Sequence, residues 1–242
     1  MRIFSIMAAA TVIGLIVSTA KMGNAAILNS SFETGDFSQW EITGQATVED
    51  ASFGAEPSEG TYQAVLETLQ DTTNISGANL ESFLGLSGGS LTNSGVTEGS
   101  AIKQTFVANA GDVLTFQWNF LTDLDPSESN YDDFAFFTLS DRLNPLADTS
   151  NATNTNFFTR LAKETGYQSS SYKITTAGTY VLGFGVVDVG DSTVNSALLV
   201  DKIKLSNAST SVPEPTSTFS LLALGVLGLS WYLRRHKQSK EI

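Results

Sequence analysis

The stretch Gly111-Asp-Val-Leu-Thr-Phe-Gln-Trp-Asn-Phe-Leu-Thr122 decides the fold class of this 242-residue chain. Large apolar side chains at Leu114, Phe116, Trp118 and Phe120 alternate with Thr, Gln and Asn. Successive side chains of a strand point to opposite faces, and this alternation is typical of an antiparallel strand with one face on a core. The stretch therefore predicts a half-buried β-strand.

Further short segments of similar character lie on both sides of this strand, separated by Gly, Ser, Thr and Asn, which favour turns. The segments predicted as strands are Ile27–Leu28, Trp40–Val48, Thr61–Thr68, Ala101–Val107, Asp133–Leu139, Tyr172–Thr175, Tyr180–Val187 and Ser196–Leu205. A single short helix is predicted at Asn79–Leu86, and residues 141–156 are predicted as a polar loop. This pattern predicts an all-β domain, an antiparallel β-sandwich (jelly roll) over residues 26–205, whose first and last strands lie side by side.

Composition limits the chemistry of this domain. The chain has 13 basic and 25 acidic residues, and its formal net charge of −12 argues against nucleic acid as a partner. It contains no cysteine, and its one histidine is His236, outside the predicted domain. Ser–His–Asp and Cys–His catalysis, and metal sites built from His or Cys, are therefore excluded between residues 26 and 205.

The N-terminus has the pattern of a secretory signal peptide, predicted over residues 1–25. Met1-Arg2 is basic, Ile3–Val17 is apolar, and small residues at 23–26 allow cleavage after Ala25 or Ala26, with Ala20 as an alternative. The sequence therefore predicts export of the domain that follows.

The C-terminus has the pattern of a membrane-spanning segment followed by a cytoplasmic tail. A linker over 206–215 contains Pro213-Glu214-Pro215, and the uncharged run Thr216–Leu233 would reach about 27 Å as a helix, close to the thickness of a bilayer core. Arg234 and Arg235 follow immediately and place the tail, 236–242, in the cytoplasm under the positive-inside rule. A transmembrane helix is therefore predicted over 216–235.

The ordered combination of Pro213-Glu214-Pro215, an apolar helix over Ser217–Leu233 and the basic pair Arg234-Arg235 resembles the PEP-CTERM protein-sorting signal. The resemblance implies recognition by an exosortase, a membrane cysteine transpeptidase that cuts near the triplet and passes the protein on into the cell envelope. It also implies contact with membrane lipid through the C-terminal helix. A simple single-span anchor with a proline-rich stalk is the alternative.

The carboxylate of Asp201 is predicted to lie on the apolar face of the last strand. Asp201 is in step with Leu199 and Ile203, and an unpaired carboxylate facing a core would cost several kcal/mol. Glu33, near the first strand, would meet it if the terminal strands were neighbours. Ligands that are all oxygen select a hard cation such as Ca²⁺. The alternative is an Asp201 side chain that is hydrogen-bonded to backbone amides.

A second resemblance concerns the two ends of the domain. Asn29–Trp40, with its Phe-Glu-x-Gly-x-x-x-x-Trp pattern, and Leu198–Leu205 are similar to the opening and closing segments of jelly-roll carbohydrate-binding modules and galactose-binding-like domains. The resemblance implies that Glu33 and Asp201 bind a structural Ca²⁺ ion. Gly185–Asp191 also resembles a segment of those modules, without an implied role.

These features predict a non-enzymatic protein of the cell envelope or surface, structural or adhesive in an exopolysaccharide matrix. The first alternative is a carbohydrate-binding module, with polysaccharide as partner and Tyr131, Tyr167 or Tyr172 as the aromatic platform. The second is a glycoside hydrolase with two carboxylates. It is disfavoured because neighbours such as Asp132 and Asp133 point to opposite faces of a strand.

Overall fold

The computed structural model describes residues 26–69, 73–123 and 132–207. The predicted signal peptide, membrane helix and cytoplasmic tail, and the linker beyond Asn207, lie outside the described residues. Within the described ranges, every helix is too short or too polar to cross a membrane.

Within these ranges the chain forms thirteen strands and one α-helix. The strands are β1 (Glu41–Thr43), β2 (Gln45–Glu49), β3 (Gln63–Glu67), β4 (Ile75–Ser76), β5 (Val96–Ala108), β6 (Val113–Thr122), β7 (Phe134–Leu139), β8 (Arg142–Asp148), β9 (Asn154–Thr155), β10 (Lys163–Glu164), β11 (Gln168–Lys173), β12 (Gly178–Val189) and β13 (Ser196–Ser206). The helix is α1 (Gly77–Leu84), and short 3-10 turns occur at Ala51–Phe53, Thr92–Ser94 and Thr149–Asn151.

The strands form two antiparallel sheets that pack face to face. Sheet A has the order β1-β5-β12-β7-β8, with β4 also paired to β5. Sheet B has the order β2-β3-β13-β6-β10-β9, with β11 also paired to β6. The all-β antiparallel sandwich predicted from the alternating segments is therefore confirmed.

The core between the sheets is built around the stretch that decided the fold class. That stretch forms β6, and its predicted face is buried in the main apolar cluster. Phe116 makes edge-to-face contacts with Phe184 of β12 and Phe137 of β7, at ring-centroid distances of 4.9 and 5.1 Å. Rings from both sheets therefore meet at the centre of the sandwich, in a geometry that favours aromatic pairs.

The predicted helix is confirmed, shifted by two residues, and it covers the outer face of sheet A. It ends at Gly85, which has a φ of +73° and supplies the left-handed cap. Leu80 and Leu84 pack above two strand glycines: a Cβ on Gly99 would lie 3.0 Å from Leu80, and one on Gly183 would lie 2.6 Å from Leu84. These glycines let the helix approach the sheet closely.

Two predictions at the start of the domain are wrong. Residues 27–28 form no strand, because the Gln104 side chain binds the main chain of Leu28 through its Oε1 (2.8 Å) and its Nε2 (2.9 Å). The predicted strand Trp40–Val48 is broken at Gly44, which has a φ of +75°. Before this glycine the chain belongs to sheet A as β1, and after it to sheet B as β2.

The predicted pairing of the first and last strands is also wrong, since β13 lies between β3 and β6 and β1 pairs with β5. The ends of the domain nevertheless touch, because the Ile203 N–H donates to the Ser30 carbonyl at 3.0 Å. The predicted loop at 141–156 contains β8 and β9. Pro145 is tolerated there because β8 is an edge strand and the proline pairs beside an irregularity of register.

Candidate functional site at the chain ends

Asp201 lies at an irregularity in β13 rather than on a continuous apolar face. The register with β6 shifts between Asp201 and Lys204, and Lys202 adopts a φ of +53°. Leu199 therefore packs on the outer face of sheet B, whereas Ile203 points into the sandwich core. The prediction that Asp201 is in step with both Leu199 and Ile203 is wrong, because the bulge reverses the alternation.

The Asp201 carboxylate is fully buried and accepts three hydrogen bonds. The donors are Ser58 Oγ at 2.9 Å, Glu59 N at 2.8 Å and Lys202 N at 2.6 Å. Burial raises the pKa of Asp201 above its ordinary value, although each of these donors favours the charged form. The contacts match the alternative in which Asp201 is held by hydrogen bonds.

Glu33 is exposed and binds the loop that contains Ser58 and Glu59, at the end of the loop away from Asp201. Its carboxylate accepts from Thr61 N at 3.0 Å and from Tyr62 N at 2.9 Å. Gly60 has a φ of +72°, and a Cβ there would lie 2.4 Å from the Glu33 carboxyl carbon. The close approach of Glu33 therefore depends on glycine at this position.

We call Ser58–Tyr62 the clasped loop, because Asp201 binds its first two residues and Glu33 binds its last two. The structure thus places the two predicted site residues at opposite ends of one loop, rather than on paired strands. Glu59, within the loop, accepts from Lys204 Nζ at 2.5 Å and from Ser31 Oγ at 3.3 Å. The bond from Lys204 holds the pKa of Glu59 below its ordinary value.

The clasped loop and its two carboxylates provide only some of the oxygen ligands that a hard cation requires. Glu33 and Asp201 are two carboxylates, and no group of three or more His, Cys, Asp or Glu side chains within the described ranges could hold a metal ion. A Ca²⁺ ion here would need backbone carbonyl oxygens to complete its coordination. Calcium at Glu33 and Asp201 therefore stays a prediction.

Sequence comparison identifies the C-terminal segment. Residues 211–235 match the family model of the PEP-CTERM protein-sorting motif. This chain carries a PEP-CTERM motif. The match includes all of the predicted sorting residues, which are Pro213, Glu214, Pro215, Arg234 and Arg235. No curated protein has significant sequence similarity to the chain.

Solved structures similar to the domain ahead of the PEP-CTERM motif include carbohydrate-binding modules. TmCBM61 in complex with β-1,4-galactotriose is 13% identical, with 76% of this chain and 99% of that chain covered and a TM-score of 0.41. The non-crystalline-cellulose-specific module CBM28 is 13% identical, with 76% and 96% covered and a TM-score of 0.39. The K3 cleaved adhesin domain of Lys-gingipain from Porphyromonas gingivalis is 12% identical, with 76% and 99% covered and a TM-score of 0.36.

The aromatic residues ahead of the PEP-CTERM motif are arranged differently from the prediction. Tyr131 lies outside the described residues. Tyr167 and Tyr172 are half-buried, the first donating its hydroxyl to Gln63 and the second packing against Phe137 with ring centroids 6.4 Å apart. Neither is an exposed platform.

The exposed aromatic side chains of the described ranges are instead Phe157 and Phe158, each 83% exposed. Asn156 orders the loop beneath them, since its Oδ1 accepts from Phe158 N at 2.8 Å and from Thr159 N at 3.0 Å. This pair was not among the aromatic residues predicted from the sequence. Its signal was two adjacent large apolar residues inside a polar Thr/Asn-rich segment.

The two neighbouring acids weighed as a catalytic pair do not converge. Asp132 is exposed and accepts from Thr149 Oγ1 at 2.7 Å. Asp133 is buried and accepts from Val189 N at 3.0 Å and from Ser196 Oγ at 2.8 Å. The two carboxylates therefore lie in different surroundings, although both residues precede β7 and neither belongs to a strand.

Proposed function

We propose that this chain is an exported surface protein, which an exosortase processes at the PEP-CTERM motif and which displays the β-sandwich outside the cell. The observation that carries the proposal is the match of residues 211–235 to the sorting motif, directly after a folded domain that ends at β13. An apolar run closed by Arg234 and Arg235 gives the membrane contact and orientation that this processing needs. Cleavage close to Pro213–Pro215 in cells tests it.

The sandwich serves a structural or adhesive role in an exopolysaccharide matrix. Its net negative charge suits a soluble surface domain, and the clasped loop ties the start of the domain to its last strand. A fold with both ends held together resists fraying where the chain continues into its linker.

A structural Ca²⁺ ion at Glu33 and Asp201 belongs to this proposal, supported by the two carboxylates that approach the clasped loop. We expect saturating Ca²⁺ to raise the Tm of the full chain, purified in detergent and freed of metal, and Glu33→Gln to remove part of that rise. Glu33 is exposed, so its substitution leaves the core intact. If Glu33→Gln retains the whole calcium-dependent rise, the ion does not bind there.

Carbohydrate binding is the second candidate function, and the exposed pair Phe157 and Phe158 favours it. Aromatic side chains present flat apolar surfaces to sugar rings, and these two are the most exposed large apolar residues in the described ranges. We expect the full chain to bind at least one polysaccharide on a glycan array and the double substitution to alanine to weaken that binding by about tenfold or more. Binding unaffected by the double substitution would exclude this surface.

A further inference from the structure

One end of the space between the two sheets is lined by polar side chains instead of apolar ones. Along β12, Phe184 and Val186 face the core, and Asp188 is next in the same alternation. The same change occurs on the neighbouring strands of both sheets, where the inward positions at this end are polar. These residues, which we call the acidic layer, are Thr68, Glu98, Thr122, Asp133, Asp188 and Ser196.

Contacts across the layer show that it lies between the sheets. Asp133, just before β7 of sheet A, accepts from Ser196 Oγ of sheet B at 2.8 Å. Ser196 Oγ lies 2.9 Å from Thr122 Oγ1, and Ser196 N donates to Thr68 Oγ1 at 2.9 Å. Side chains from sheets A and B therefore meet at this end around two buried carboxylates, Asp133 and Asp188.

Asp188 is a buried carboxylate that lacks hydrogen-bond donors within the described ranges. It is 0% exposed, and among the residues that the structure describes none donates a hydrogen bond of ordinary geometry to either of its carboxylate oxygens. Other buried carboxylates in the described ranges are well supplied. Glu81, for example, accepts from the main-chain N–H groups of Gly89, Leu91 and Thr92. A charged buried carboxylate without partners is strongly disfavoured, so Asp188 must either carry a proton or lie beside a positive group.

The charges around Asp188 are all of the same sign. Glu98 lies directly opposite it on β5, and Asp133 and Asp191 also act on it electrostatically. The three ion pairs of the described ranges involve other carboxylates, those of Glu41, Glu67 and Glu59. Burial, with these neighbours, raises the pKa of both Asp133 and Asp188 well above the ordinary range. The layer therefore has negative groups and buried oxygen atoms without a positive partner.

We propose that the acidic layer binds one hard divalent cation, best matched by Ca²⁺, between Asp133 and Asp188. Two carboxylates would balance its charge, and the hydroxyls of Thr68, Thr122 and Ser196 offer neutral oxygens around them. Nitrogen or sulfur ligands are excluded since no His or Cys occurs between residues 26 and 207. The side chains fall short of three convergent acids, so hydroxyl and carbonyl oxygens would complete the coordination.

This site is separate from the one predicted at Glu33 and Asp201. Asp201 is five residues further along β13 than Ser196, which corresponds to about 16 Å of strand, and it faces the outer side of sheet B. An ion in the acidic layer would link β7 and β12 of sheet A to β13 of sheet B. It would thus close the end of the sandwich that lies away from Asp201, the residue of β13 that binds the clasped loop.

The test counts bound calcium on the full chain, purified in detergent and stripped with a chelator. The variants are Asp188→Asn, which keeps the shape and removes the charge, and Asp141→Asn, which removes the same charge from an exposed turn. We expect Asp188→Asn to bind one Ca²⁺ fewer than the wild type and Asp141→Asn to bind the same number. An equal count for Asp188→Asn and wild type, or a wild type that binds no calcium, overturns the proposal.

Thermal unfolding gives a second readout, in which the wild type is compared with Asp188→Asn. In chelator, the native state keeps protons on Asp133 and Asp188 that the unfolded chain releases above about pH 4, so Tm should fall as the pH rises from 5 to 8. Calcium competes with those protons, and at a hundredfold excess over its Kd it should raise Tm by about 5–10 °C at pH 8 and by less at pH 5. A calcium-dependent rise that is equally large in Asp188→Asn and in the wild type comes from another site, such as Glu33 and Asp201, and overturns the proposal, as does a wild type whose Tm calcium leaves unchanged at both pH values.

Discussion

Deletion of Pro213–Pro215 is expected to leave the chain uncut in the cytoplasmic membrane. Each proline fixes its own φ and disfavours helix in the residue before it, so we expect the triplet to oppose helix formation ahead of the apolar run. An extended segment can enter the active site of a membrane transpeptidase, whereas a helix continuing out of the bilayer cannot present its peptide bonds. Without the triplet the apolar run still inserts, and only processing is lost.

The measurement is a pulse-chase immunoblot of the precursor and processed forms in a strain that carries the exosortase. The expected change is from nearly complete conversion to none within the same chase. Deletion of Ala208–Thr210 shortens the linker by the same length and is the matched control, which should be processed normally. Normal processing of the triplet deletion would show that Pro213-Glu214-Pro215 is not what the enzyme recognises.

Asp201→Ala is expected to lower the free energy of unfolding by about 3 kcal/mol, measured in chelator so that no ion contributes. The substitution leaves Ser58 Oγ, Glu59 N and Lys202 N without their acceptor, and each unsatisfied buried donor costs about 1–3 kcal/mol. Part of that cost is recovered because water can reach the loop once the carboxylate is gone. Chemical denaturation of the full chain in detergent gives the value.

Glu59→Ala is the control for this experiment, since it removes a carboxylate from the same loop but breaks only its exposed pair with Lys204 and the 3.3 Å hydrogen bond from Ser31 Oγ. Surface ion pairs contribute about 1 kcal/mol or less, so this variant should stay close to the wild type. If both variants lose the same small amount, Asp201 does not hold the clasped loop.

The sequence predicted best those strands in which apolar and polar side chains alternate strictly and only one face is buried. The stretch that forms β6 is such a case, and the short helix packed on strand glycines was predicted from its helical spacing of apolar residues. Breaks in the pattern were harder to predict. Gly44 moves the chain from one sheet to the other, and the bulge after Asp201 reverses which side chains face the core, because each depends on contacts that are distant in sequence.

Calcium at Glu33 and Asp201 stays a prediction, and the surroundings of these residues were not predictable. Each binds one end of the clasped loop, whose role depends on a left-handed Gly60 rather than on any apolar pattern. The acidic layer was missed although its signal was present. Asp188 continues the alternation of Phe184 and Val186, and this alternation alone predicts that its side chain lies inside the sandwich.

Exosortase processing is tested most directly by the intact mass of the mature protein isolated from cells that carry an exosortase. We expect a chain that ends close to Pro213–Pro215 and lacks residues 216–242. A mature protein that still ends at Ile242 would contradict exosortase processing, because the C-terminal segment would then be a permanent anchor and not a sorting signal.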